Sequence, residues 1–144
     1  MKSATIPIAT FVLVISVATA SAQRKYIAAK TPKPLPLSAA VQSGNMLFLS
    51  GALGVKEGQP VPPEEEARHA MEVMKHNAES AGFSMDDVVS VQIFCTDMKL
   101  YDIFNSVYST YFHGQYPARA FIGVSSLTRG AHFEVMGIAV KKEQ

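Results

Sequence analysis

Two charged side chains stand where apolar strands are expected. Arg119 follows Pro117 at the mouth of the run Ala120-Phe121-Ile122-Gly123-Val124, and Glu134 lies early in the apolar segment His132–Val140. Such segments are normally filled by aliphatic and aromatic residues, so an ion inside one calls for a partner or a ligand. The planar guanidinium of Arg119 can bind a carboxylate through two parallel hydrogen bonds, which the point charge of a lysine does not reproduce. Glu134 shares a strand face with His132, Met136 and Ile138 when side chains alternate. There it could order or deprotonate a water, or protonate a leaving amine. Two structural readings compete. The ions could pair with each other, at little net gain once desolvation is counted, or Glu134 could be an edge-strand charge facing solvent. The functional reading puts both in one pocket that anchors a small carboxylate.

Other chemistries find less support. Cys95 is the only cysteine, so the chain has no internal disulfide, and its place in Val91-Gln92-Ile93-Phe94-Cys95 reads as core. His69, His76, His113 and His132 have no metal-ligand spacing and read as surface or interface residues, so no metal site is expected. No Ser-His-Asp order or glycine-rich phosphate loop is present. The chain carries 13 Lys and Arg against 12 Asp and Glu, and Lys2 is the only charge before Gln23. Beyond that point the balance is neutral, which argues against nucleic-acid binding through a cationic face. A neutral chain also has little charge to keep a monomer soluble, a hint of surface buried between subunits.

The elements that must position these residues follow from periodicity. Met1–Ala22 combines Lys2, a short apolar run and the ending Ala20-Ser21-Ala22. This is the pattern of a secretory signal peptide cleaved near Ala22, too short to anchor the chain in a bilayer, so export to a periplasm or the exterior is expected. The remainder, 23–144, reads as a single domain. Gln23–Leu37, with its prolines, reads as a lead-in. Ser38–Gln42 and Met46–Ser50 form strands around the turn Ser43-Gly44-Asn45, and Gly51 after the second strand permits a close approach of backbone. Pro62-Pro63-Glu64-Glu65-Glu66 starts a helix whose apolar face is Ala67, Ala70, Met71, Met74, Ala78 and Ala81, ended by Gly82. Val88–Thr96 follows as a strand with Val89, Val91, Ile93 and Cys95 inward. A second helix over about Leu100–Phe112 has the stripe Tyr101, Phe104, Val107, Tyr108 and Tyr111, with Asn105 one residue round from it. Arg119–Val124 and His132–Val140 complete the set. Two helices on one face of a mixed sheet make an α+β sandwich.

Certain of these residues carry a family resemblance. Ser38-Ala39-Ala40-Val41, Gly44–Gly51, the spacing of Asn105, Tyr108, Tyr111 and Phe112, and Tyr116-Pro117-Ala118-Arg119 with Glu134 fifteen residues on together resemble the RidA/YjgF/UK114 family. The likeness runs from about Tyr26 to Lys142. It implies a chorismate-mutase-like α+β fold assembled as a homotrimer with clefts between subunits. It also implies a cofactor-free hydrolysis of reactive 2-imino or enamine acids to 2-keto acids and ammonia. Arg119 would then hold the substrate carboxylate, Glu134 would order the water, and the backbone at Phe121 would contact the imine nitrogen or that water. Ser50, Gly51, Asn105 and Leu37 would line the cleft. The chain departs from the pattern at Leu37, where deaminating members usually have a tyrosine, at Ala52 for a glutamine, and at Phe121 for a cysteine. A backbone role survives the change at Phe121; Leu37 makes the pocket more apolar. The alternative is a non-catalytic carboxylate-binding or holdase-like protein of the same fold.

Overall fold

The computed structural model describes residues 23–31, 33–55 and 61–142, so Met1–Ala22, expected from the sequence to direct export, lies outside the described residues. The strands are β1 (Lys25–Ala28), β2 (Ser38–Ser43), β3 (Met46–Leu53), β4 (Val88–Cys95), β5 (Ala118–Gly123) and β6 (Phe133–Val140). They form one sheet in the order β1-β2-β3-β6-β4-β5. Every pairing is antiparallel except β4 with β5. That parallel pair is joined by a crossover through helix α2 (Tyr101–Tyr108), as parallel strands require. Helix α1 (Pro63–Ser80) packs beside α2 on the same face of the sheet, giving the α+β architecture read from the sequence.

Helix α1 begins with Pro63 in its first turn and three acids at its positive end. Its inward residues Ala67, Ala70, Met71, Met74 and Ala78 are fully buried. The small side chains let the helix lie close to the sheet, and Gly137 of β6 completes the fit. A Cβ there would stand 2.6 Å from the Met74 methyl and 2.8 Å from the Ser90 carbonyl oxygen. Burying methionines such as Met71 and Met74 stabilises the domain by about 1.5–3 kcal/mol each.

Three local features differ from the sequence reading. Lys25–Ala28, within the expected lead-in, is an edge strand paired with β2. Val89 does not face the core: a bulge between Val88 and Ser90 turns it outward at 46% exposure and buries Val88 instead. The second helix is shorter than expected, with α2 ending at Tyr108 and continuing as a 3-10 turn over Ser109–Tyr111.

Among the described residues the helices cover one face only. Phe48, Val89 and Met136 lie on the other, 44%, 46% and 36% exposed, and give the open face a band of large apolar side chains.

Candidate functional site

Strand β5 pairs with β4 so that Arg119 lies beside Val91 and Phe121 beside Ile93. Val91 and Ile93 face the helices, so Arg119 and Phe121 do too. Phe121 packs edge-on against Tyr101 and Phe104, with ring centroids 4.9 and 5.6 Å away. Because β5 is an edge strand, the outer side of its backbone has no strand partner among the described residues. Arg119 reaches from this edge over α2. Its Nη1 donates to Asn105 Oδ1 at 2.7 Å and its Nη2 to the Tyr101 hydroxyl at 3.3 Å. The guanidinium carbon stands 4.8 Å from the Tyr108 ring centroid, within cation–π range.

These contacts aim the fork while leaving most of its donors unused. Ion pairs among the described residues join Arg68 to Glu64, His69 to Glu65, Lys75 to Glu79 and His132 to Glu66; none includes Arg119. A cleft of about 390 Å³ opens beside it, lined by Asn105, Tyr108, Ser109, Tyr116, Pro117 and Arg119. Tyr108 is 3% exposed, and burial pushes its hydroxyl pKa up to about 12 against the lowering effect of Arg119. Its oxygen has no hydrogen-bond partner among the described residues.

Glu134 belongs to a different surface. It pairs with Phe94 of β4 and Leu53 of β3, while its neighbours Phe133 and Val135 are fully buried under the helices. Alternation therefore turns Glu134 to the open face with Met136 and Ile138, as the sequence reading had it. His132, expected on the same face, instead precedes β6 and turns its Nδ1 to Glu66 in the helical layer, 2.8 Å away. Between Leu49 and Ala52, a bulge sets Ser50 and Gly51 opposite the single residue Met136. The Glu134 carboxyl rests against Gly51: a Cβ at that position would overlap its Oε1 and stand 2.8 Å from its Cδ. Glycine is thus required here by the Glu134 side chain rather than by a turn. Ser50 Oγ donates to the Ser38 carbonyl at 2.6 Å, tying the bulge to the segment that carries Leu37. Leu37 is 51% exposed and borders a broad hollow of about 610 Å³ with Tyr26, Leu35 and Ser38.

The expected residues thus form two clusters. Arg119, Asn105 and Phe121 gather at the helix-side margin of β5; Glu134, Ser50, Gly51 and Leu37 gather on and beside the open face of β3 and β6. Within the chain Arg119 and Glu134 occupy opposite faces of the sheet, so they neither pair as ions nor share a pocket. Two partners of the arginine escaped the sequence reading. Tyr101 and Tyr108 belong to the aromatic stripe assigned to the core, yet Tyr101 is 39% exposed and both frame the guanidinium. Their spacing from Asn105, four residues before and three after, is the signal that places all three on neighbouring turns.

Fold and site together define a class of small α+β domain with an arginine-lined cleft at one sheet edge and a glutamate on the open sheet face. The chain belongs to the family described as Endoribonuclease L-PSP, matched over residues 29–141. A RutC family protein of Pyrococcus horikoshii is 35% identical over 77% of this chain and 92% of its own. A 2-iminobutanoate/2-iminopropanoate deaminase of Dermatophagoides farinae is 38% identical over 76% of this chain and 89% of its own. Among solved structures, Escherichia coli TdcF with bound serine superposes with a TM-score of 0.72 at 29% identity, covering 76% of this chain and 91% of that one. The family resemblance drawn from Tyr116–Arg119 and Glu134 is thereby established.

Proposed function

We propose that the chain assembles as a homotrimer and hydrolyses small reactive 2-imino acids, with their enamine tautomers, in clefts between subunits. The observation that carries this reading is the Arg119 guanidinium, aimed by Asn105 and Tyr101 and joined to no carboxylate among the described residues. Such a fork is complementary to a substrate carboxylate. Because Arg119 and Glu134 lie on opposite faces of one sheet, a site that uses both requires Arg119 from one copy and Glu134 from the next. The apolar band of Phe48, Val89 and Met136 supplies a surface that a second copy would bury. The deaminase named among the relatives supports the same substrate class.

In this arrangement Arg119 holds the carboxylate and places the adjacent C=N carbon within reach of a water ordered by Glu134. The water oxygen bonds to that carbon, the C=N π pair moves to nitrogen, and Glu134 takes the water proton. Glu134 hands that proton to nitrogen, giving the carbinolamine. It then takes the hydroxyl proton and passes it to nitrogen as the C=O bond forms and the C–N bond breaks, releasing ammonia and the 2-keto acid. Phe121 serves through its backbone at the free edge of β5, so its side chain need not be polar. The neutral charge balance gives no support to the ribonuclease activity that the family description names. The test is release of 2-keto acid from freshly generated 2-iminobutanoate by the wild type and by Arg119→Ala. Acceleration by the wild type alone supports deamination. An absence of acceleration by a trimeric wild type would move the assignment to carboxylate binding without turnover.

A further inference from the structure

A carboxylate on the helical layer, 1% exposed, lies outside both clusters. Glu66, in the first turn of α1, accepts hydrogen bonds from the His132 N–H at 2.5 Å and the Phe133 N–H at 2.8 Å, both on Oε1. Its Oε2 lies 2.8 Å from His132 Nδ1. In a regular strand successive N–H groups point to opposite sides. Two consecutive N–H groups converging on one oxygen therefore mark the point where the loop ends and β6 begins. The phase of alternation starts there: Phe133 enters the core and Glu134 turns to the open face. A slip of one residue would exchange them.

Other strands end close to the same residue. The His132 carbonyl accepts from Thr96 N–H at 3.1 Å, just beyond the end of β4. Gly54, just past the end of β3, has room for no Cβ, which would overlap the Glu66 carbonyl oxygen and stand 2.7 Å from its Cγ. Three residues before Gly54 is Gly51, against which the Glu134 carboxyl rests. One buried side chain thus ties together the segments that carry both Glu134 and its contact surface. A well-packed apolar residue would be cheaper to bury than an ion, so the use of the carboxylate is directional.

We propose that Glu66 is a positioning residue: through the His132 and Phe133 amides it sets the start of β6 and so the placement of the Glu134 carboxyl. This rests on the catalytic role given to Glu134 above. The test compares wild type with Glu66→Met, which fills the volume without an acceptor, and with Glu66→Gln, whose carbonyl still accepts both N–H groups. Four quantities are followed: kcat and KM for imine hydrolysis, exchange of the His132 and Phe133 amides, and the pH titration of the Glu134 carboxyl carbon by NMR. Glu66→Met should lower kcat about tenfold to a hundredfold, the scale of a misplacement near one ångström. KM should hold within a few-fold, exposed amides should exchange faster, and the Glu134 titration should move. Glu66→Gln should restore all of these.

A lower Tm in Glu66→Met with unchanged kcat and an unchanged Glu134 titration would overturn the proposal, as would a Glu66→Gln protein as impaired as Glu66→Met. If Glu66→Met does not fold, Glu66→Asp decides. Withdrawing the acceptor by one methylene must shift the Glu134 titration, and an unmoved titration overturns the proposal. A wild type without imine hydrolysis would remove the catalytic reading, while the amide exchange and the titration would still decide the positioning.

Discussion

Replacing Gly51 with alanine separates a functional glycine from a structural one. The new Cβ would overlap Glu134 Oε1, stand 2.8 Å from Cδ and 3.2 Å from Cγ. Gly51 does not have the positive φ of Gly44, Gly82, Gly114 and Gly130, so alanine brings no left-handed strain there. Its residue is exposed, and the substitution removes unfolded-state freedom worth about 0.4–1 kcal/mol in favour of the fold. The Cγ contact can relax by a few tenths of an ångström, but the carboxyl must turn away. Holding it off its rotamer costs about 0.5–1.5 kcal/mol, and a carboxylate displaced by an ångström or more can cost about a hundredfold in rate. Gly51→Ala should therefore lower kcat about tenfold to a hundredfold while Tm stays within about 5 °C of wild type. Keto-acid release from 2-iminobutanoate and a thermal melt on the same preparation read both quantities. Full kcat in Gly51→Ala would refute the placement of Glu134 at the reacting water. A collapse in Tm would show that the glycine serves the fold.

Arg119→Lys keeps the charge but loses the fork and its support from Asn105 and Tyr101. Binding of a small carboxylate, measured by calorimetry, should weaken by about 3 kcal/mol, or about a hundredfold, with the trimer intact. Phe48→Lys places a charge in the apolar band of the open face and should give a folded monomer by light scattering; a trimer of unchanged stability would remove that face from the interface. Burial raises Tyr108 from 10.0 to about 12, and burial, with Glu72 beside its hydroxyl, raises Tyr111 further. The folded state therefore keeps protons that the unfolded state releases. This stabilisation is whole below pH 10 and is lost as pH rises through about 12, so Tm should fall over that interval and less steeply in Tyr108→Phe.

Much of this architecture is legible in local pattern. The α1 face of alanines and methionines and the alternation of β6 are periodic over several turns or pleats, and burial follows them residue by residue. The departures come from pairing, which no single segment encodes. Lys25–Ala28 is four residues long and mostly exposed, so it has no alternation to read, and only its hydrogen bonds to β2 make it a strand. Val89 is turned by a bulge against β6. Period-two counting places Arg119 and Glu134 within their own strands, but the pairing of β4 with β5 on one side and β6 on the other decides that they face apart. Glu66 was hidden among three consecutive acids that suit a helix start. Its register with Ala70 and Met74, at steps of four, is the one sign that it belongs to the buried face.

If a working site takes Arg119 from one subunit and Glu134 from another, two inactive variants must restore each other on mixing. Arg119→Ala and Glu134→Gln, each inactive alone, are unfolded together in equal amounts, refolded, and assayed for 2-iminobutanoate hydrolysis. In a cyclic trimer every mixed assembly contains one interface with both native residues, so about a quarter of the wild-type rate per subunit should return. Mixed trimers that recover no activity, although each parent refolds and the wild type is active, would contradict the shared site.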